Sequence, residues 1–405
     1  MQQQARVSMQ LIPFTAVAFL GFLAIGLPLP TFSIYAPGAL HVGTGAVGTI
    51  VGLQSVATLL TRQCAGRLAD ARGPKATALL GLLIASATGW IYVVSNAAVE
   101  HTLISIMLLC AGRLLLGLAE SMFITALAAW SIARVGSRYA GQAMAWSGIA
   151  MYAALAAGAP IGLAIYRAAG FPAVAVCSAL TPLAGAAIAL CWQAPPVQQA
   201  RDRESFIRML RVIWVPGLGM ALASSGAATL GAFMSLRYSN EAWPNAGFAL
   251  SAFGGAYIAV RVLFGGLPDR LGGYRIGTCS LFLEAVGLTV ISLAARPAVA
   301  LLGACITGLG YSLVFPSLGV EAMRRVPGEG RGLAIGAYLA CFDLGLAVGG
   351  PGAGVMAAYR GVPAAFTAAA GATIVSLALL CADWWNRNGS RRAAHGKATE
   401  PGSTP

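Results

Sequence analysis

The chain has 405 residues, of which 58% are hydrophobic and only 10% charged, with 51 glycines and a mean hydropathy of +0.76. Soluble domains run at about 45–50% apolar and about 25% charged, and disorder requires low hydrophobicity with high charge, so soluble, fibrous and disordered classes are excluded and a membrane protein remains. The formal net charge of +13, in which Lys75 and Lys397 are the only lysines, fits either nucleic-acid binding or the cytoplasmic loops of a membrane protein, and position must decide.

A membrane-spanning helix needs about 20 mostly apolar residues. The segment from Met1 to Gln10 leads into an apolar run without an A-x-A-like cleavage site, which reads as a retained first span near Phe22 and not as a signal peptide. Five further spans are predicted near Val56, Ile84, Cys110, Tyr152 and Ala184, completing an N-terminal bundle over 1–193. The longest internal connection follows, a linker over 194–214. Its part from Arg201 to Trp214 carries Phe206, Leu210 and Ile213 at helical spacing among Arg203, Arg208 and Arg211. That pattern suits a short basic helix on the membrane surface, or a solvated linker. Six more spans are predicted near Ala223, Ala256, Val286, Thr307, Leu344 and Val375, giving a C-terminal bundle over 215–385 and a basic tail over 386–405. The fold class is an all-α membrane protein of twelve transmembrane helices in two six-helix bundles.

Placing the charges resolves the ambiguity. Nineteen of the 26 basic residues fall in the segments on the side of the N-terminus, and only Arg167, Arg237, Arg296 and Arg360 fall in the opposite loops. The bias predicts cytoplasmic termini and removes nucleic acid as a partner. The eight cysteines lie in or beside apolar runs without a C-x-x-C and read as small hydrophobes. His41, His101 and His395 stand far apart, so no metal site is expected.

The halves repeat each other. Arg62-x-x-x-Gly66-Arg67-Leu68-Ala69-Asp70 closes span 2, and Arg261-x-x-x-Gly265-Gly266-Leu267-Pro268-Asp269 closes span 8 at a constant offset of 199. Gly158-Ala159-Pro160 in span 5 is echoed by Gly349-Gly350-Pro351 in span 11, each followed by Tyr-Arg and then by Pro172 or Pro363. Paired six-helix halves of this kind are built by repeat transporters.

The stretch Gly66-Arg67-Leu68-Ala69-Asp70-Ala71-Arg72-Gly73-Pro74-Lys75, with its weaker copy from Gly265 through Asp269 and Arg270 to Arg275, resembles the loop signature of the Major Facilitator Superfamily, with Pro74 at a usually basic position. A closer similarity is to the YhhS-like branch of bacterial inner-membrane permeases, through Ile25-Gly26-Leu27-Pro28-Leu29, Ala57-Thr58-Leu59-Leu60, Gly73-Pro74-Lys75 and Leu313-Val314-Phe315-Pro316. Physically, Gly66 offers a close approach to a neighbouring helix, Gly73 a tight turn, and Asp70 an ion-pairing partner for Arg67, Arg72 or Lys75. The resemblance implies that the neighbour is helix 11 and that Asp70 latches a cytoplasmic gate.

Arg113 sits near the middle of span 4, where an arginine costs at least about 2.5–3.5 kcal/mol and must face protein or water. The resemblance links it to proton transfer. Glu120, seven residues on, lies on the same face about 10 Å along the axis, too far for an easy direct pair. The other intramembrane acids are Glu284 in span 9 and Asp343 in span 11, and a carboxyl so placed is a candidate proton carrier. Asp343 leads because the Gly349-Gly350-Pro351 bend lies two turns away. For Glu284 a structural pair or a lipid-edge position competes, and Arg261 could partner any of these acids.

Gly158, Pro160 and Gly162 in span 5 resemble the family's antiporter motif in part, and Gly350, Pro351 and Gly354 in span 11 come closer to it in the other half. Small residues around a proline give a pliant, tightly packing helix. The family's cavity is lined by spans 1, 4, 7 and 10, which offer Thr15, Ser33, Ser224, Ser225, Thr229, Thr307, Tyr311 and Ser312. The expectation is a monomeric secondary transporter of the bacterial inner membrane that exports a small molecule in exchange for protons. Proton-coupled or passive uptake of a nutrient, and a receptor that moves nothing, are the alternatives. No phosphate loop or nucleophile–histidine pair points to an enzyme. No cofactor is expected; the proton gradient supplies the energy, and substrate, protons and lipid are the partners.

Overall fold

The computed structural model describes residues 2–136, 139–194, 206–326 and 331–398. Expectations resting on Arg138, Arg201 and Arg203, on the side chains of Arg6, Arg331, Arg391, Arg392 and Lys397, and on residues beyond 398 lie outside the described part. Among the described residues there is no strand. The first half comprises α1 (Gln2–Gly26), α2 (Pro28–Leu40), α3 (Thr44–Arg72), α4 (Pro74–Ala97), α5 (Thr102–Val135) and α6 (Ala140–Leu190). After α7 (Phe206–Val212) the second half holds α8 (Trp214–Asn240), α9 (Ala246–Phe264), α10 (Leu267–Leu271), α11 (Gly273–Leu293), α12 (Pro297–Met323), α13 (Arg331–Arg360) and α14 (Val362–Ala398).

Ten helical stretches of the described residues are long and apolar enough to cross a membrane. Two further crossings complete the twelve. The first is α3, whose apolarity is diluted by Gln54, Arg62, Gln63 and Arg67. The second arises because α6 is two helices: its backbone leaves helical geometry at Gly170 (φ 75°, ψ −176°), separating arms over 140–169 and 171–190. The break in α6 is therefore at Gly170, and Gly158, Pro160 and Gly162 lie within the continuous helical arm before it. An even number of crossings brings both termini to one end of the bundle, called here the termini end.

The internal repeat is written in the backbone. Gly73 (φ 89°, ψ 151°) joins α3 to α4, and Gly272 (φ 93°, ψ 141°), 199 positions later, joins α10 to α11. Gly170 and Gly361, both at positive φ, each stand two residues before a proline, Pro172 and Pro363. This region of φ and ψ is nearly closed to side chains. Gly73→Ala should cost about 1–3 kcal/mol in thermal unfolding, whereas Gly66→Ala should cost nothing. An added Cβ at Gly66 meets no atom within 4 Å, so the close helix approach expected there is absent.

Each half packs its own core. In the first, Phe22 and Phe123 stack edge-on at 5.3 Å, as do Phe14 and Trp130. In the second, Tyr311, Phe253 and Tyr257 form an aromatic cluster that Tyr152 of α6 joins from the other half. The short helix α7 buries Met209, together with Ile213 just after the helix, in the second core and leaves Ile207, Arg208 and Arg211 exposed, which docks the linker's amphipathic segment on that half.

The halves meet along α3–α13 and α6–α9, so helix 11 is indeed the neighbour of helix 2. Away from the termini end the contact is nearly atom-to-atom. A Cβ built on Gly48 would lie 2.6 Å from the Gly350 carbonyl oxygen, and one on Gly247 would lie 2.7 Å from Pro160 Cα. Small residues permit this approach. Ser251 Oγ donates to the Ala156 carbonyl at 2.6 Å across the same seam. Towards the termini end the helices diverge, and a cleft of about 1060 Å³ opens between α6, α9–α10, α12 and α13.

Candidate functional site

One face of α3 carries Val51, Gln54, Thr58 and Arg62 at spacings of three, four and four residues, which stack on a single helical face. Opposite stands α5, where Arg113 and Glu120 flank Gly117 at intervals of four and three. Gly117 brings the helices together: a Cβ there would run into the Gln54 carbonyl. The approach lets Arg113 Nη2 donate to the Val51 carbonyl at 3.0 Å. Glu120 accepts from Gln54 Nε2 at 2.7 Å and Thr58 Oγ1 at 3.2 Å.

One turn further along α3, Arg62 crosses to the other half. Its Nη2 donates to Asp343 Oδ1 at 3.0 Å, and its Nε lies 2.5 Å from Oδ2. The pair is nearly dry, with side-chain exposures of 18% and 3%. Arg62 and Arg113 are both within Coulomb reach of Glu120. The result is an alternating series, Arg113, Glu120, Arg62, Asp343, that starts inside the first half and ends on α13 of the second. Arg113 and Glu120 make no direct contact, as their separation along α5 dictates; Gln54 and Thr58 fill the gap.

Arg113 and Glu120 of the series border a cavity of about 120 Å³ between the halves. Gln54, Ser55, Arg113 and Glu120 form its polar pole, and Phe22, Leu29, Leu155, Leu250, Phe253 and Phe342 are among its apolar walls. Arg113 is 1% exposed, and its Nε and Nη1 find no hydrogen-bond partner among the described residues. Phe32 presents its ring face 5.4 Å from the guanidinium carbon.

None of the hydroxyl residues expected to line the cavity does so. Thr15, Ser225, Thr229 and Thr307 bond to carbonyls three or four residues back in their own helices. Ser33 bonds to Ala232, Ser224 to Met220 and Phe342, and Ser312 to Tyr257, so these three tie neighbouring helices together. Tyr311 is held in the aromatic cluster, and α12 contributes nothing to the lining. In a dry interior a hydroxyl takes the nearest carbonyl.

The remaining candidates scatter. Arg67, Asp70 and Arg72 lie exposed at the termini end of α3. Lys75 is drawn off to cap the second arm of α6, donating to the carbonyls of Leu190 at 2.9 Å and Trp192 at 2.5 Å. Gly265, Asp269 and Arg270 border the open cleft. Among the described residues Arg261 pairs with no acid; it donates to the Ser312 carbonyl at 3.0 Å. Glu284 is fully buried inside the second half beside Gly226, Leu288 and Gly310, which rules out a lipid-edge position, and among the described residues no ion pair includes it. Gly158 and Gly162 press on Gly26 and Leu27, while Pro160 meets Gly247; Gly350, Pro351 and Gly354 meet Gly48, Gly52 and Gly45. These glycine–proline motifs serve helix contact.

Sequence reasoning passed over Gln54, Ser55 and Thr58, and left Arg62 unassigned. The four-residue recurrence of polar groups at 54, 58 and 62 inside an apolar span was the available signal. A second cluster it did not foresee joins α11, the turn after α12, and α14 at the termini end, where Tyr274 and Arg325 both donate to Asp383.

An all-helical bundle of two repeated halves, sealed at one end and cleft at the other around a buried charge series, is the architecture of a membrane transporter. The sequence model of the Major Facilitator Superfamily matches residues 14–240 and 217–402. The chain belongs to this superfamily and is one of its transporters. It is 40% identical over 378 residues to the MFS-type transporter STM4428 of Salmonella typhimurium, covering 93% of this chain and 97% of that one. It is 35% identical over 376 residues to the MFS-type transporter YhhS of Escherichia coli, covering 93% and 92%. Among solved structures the nucleoside transporter NupG superimposes with a TM-score of 0.75 at 14% identity over 92% of this chain and 99% of that one. The human organic anion transporter MFSD10 does so with a TM-score of 0.70 at 17% identity, over the same shares. At those identities the likeness is one of fold.

Proposed function

We propose that the protein is a proton-coupled secondary transporter of the bacterial inner membrane. In this reading the termini end faces the cytoplasm, and the two halves rock about the central cavity. The observation that carries it is the Arg62–Asp343 pair, because it is the point where the charge series bridges the halves. A proton on Asp343 removes the charge that holds Arg62 and frees α3 to part from α13. Loss of that proton draws them together again. Arg113, Glu120 and Asp343 are thus the coupling groups. Glu284 stands outside the series, and Glu284→Gln should leave gradient-driven transport unchanged within about twofold.

Export in exchange for protons is the direction supported by the resemblance of span 5 to the antiporter motif. Uptake with protons is the second reading, favoured by the unfilled donors of Arg113 beside the cavity. Purified protein in liposomes holding a pH-sensitive dye tests the coupling: adding cargo should move protons across the membrane. Cargo flux without proton movement would overturn it. Inverted vesicles that load cargo when energised indicate export; accumulation by intact cells indicates uptake.

A further inference from the structure

Ionised throughout, the series of two arginines and two carboxylates is neutral. It is not evenly satisfied. Glu120 holds two side-chain donors and Asp343 holds Arg62, yet Arg113 makes one hydrogen bond through Nη2 and leaves Nε and Nη1 without an acceptor, although it is 1% exposed. A buried guanidinium lacking acceptors is costly, because its donors have surrendered water and gained nothing. The Tyr92 hydroxyl stands beside the guanidinium within interaction range but closes no hydrogen bond to Nε or Nη1, and Phe32 offers only a ring face. Arg113 borders the central cavity, whose remaining surface is mostly apolar. The separate cleft at the termini end is lined by Arg261, Arg270 and Arg324 with Asp269, a net positive surface.

We infer that Arg113 is the recognition group for cargo, and that the cargo is a small organic anion: a carboxylate on a compact apolar body. Planar guanidinium donors match a carboxylate in geometry and charge, and the apolar walls take the remainder. This inference rests on reading the cavity as the transport site. Charge balance then gives the coupling a sign. With Asp343 protonated the series carries one net positive charge, which an anion at Arg113 cancels, so proton and cargo bind together. Co-binding assigns them one direction across the membrane and favours uptake over exchange.

The test is binding to the purified, unmodified protein, using acetate, butyrate and benzoate and their neutral amides as probes, by calorimetry in weakly buffered solution. At least one carboxylate should bind about tenfold or more tighter than its amide, tighter in mild acid than in mild alkali, and with proton uptake. Arg113→Gln should abolish the preference for carboxylate over amide. Equal binding of acid and amide, failure of every carboxylate to bind, or a preference that survives Arg113→Gln would each overturn the assignment. Proton uptake on binding a neutral or cationic molecule would overturn the anion assignment and leave proton coupling standing. Carboxylate binding at Arg113 without proton uptake would sustain recognition but overturn the co-binding, and proton release on binding would point to exchange instead.

Discussion

Asp343→Asn is expected to abolish transport driven by a pH gradient. The substitution keeps the shape of the side chain and deletes the charge facing Arg62, whose Nη2 lies 3.0 Å from Oδ1 in a nearly dry seam. Removing one member of a buried pair costs about 3–5 kcal/mol, because the other charge is left without compensation. Here that cost falls on the contact between halves and weakens the closed arrangement. Gradient-driven flux in liposomes should drop by at least about tenfold, while flux down a cargo gradient survives in part. The double change Arg62→Gln with Asp343→Asn should recover thermal stability, since no charge is stranded, but should not recover coupling. A single Asp343→Asn protein that retained full gradient-driven flux would remove Asp343 from the coupling series.

A cross-link at the sealed end should stop transport altogether. A Cβ on Gly45 of α3 would lie 3.9 Å from Ala358 Cβ on α13, within the span that a disulfide bridges. Gly45→Cys with Ala358→Cys, in a chain whose eight native cysteines are replaced, should oxidise readily. The bond pins the halves where alternating access requires them to part. Flux should fall to the background of empty liposomes and return with reductant, and neither single variant should respond. Full flux through the oxidised protein would mean that this seam never opens.

The fold could be read from the sequence because membrane burial acts locally. Every backbone group in lipid must bond within its own helix, so apolar length alone announces a crossing. The repeat at offset 199 was equally legible, since the turns at Gly73 and Gly272 need a residue without a side chain. The site was only half legible. An arginine or acid inside a span declares itself, as Arg113, Glu120 and Asp343 did. Their partners did not: Asp343 meets an arginine 281 positions away, and Gln54 looks like any tolerated polar residue until α5 is laid beside it. The serines and threonines misled for a related reason. A hydroxyl in a helix reads as a cavity group, but its hydrogen bond is taken by the nearest carbonyl, and only packed coordinates show that Ser33 and Ser312 are spent on neighbouring helices.

Proton control of the seam between α3 and α13 is measured most directly as a distance. Spin labels at Arg67→Cys and Gly336→Cys, both near the termini end, report the gap between the two helices in lipid discs. Mild acid should lengthen that distance, and Asp343→Asn should hold it long at every pH. A distance that stays the same from acid to alkali, or an Asp343→Asn protein that still responds to pH, would contradict a gate held by Arg62 and Asp343.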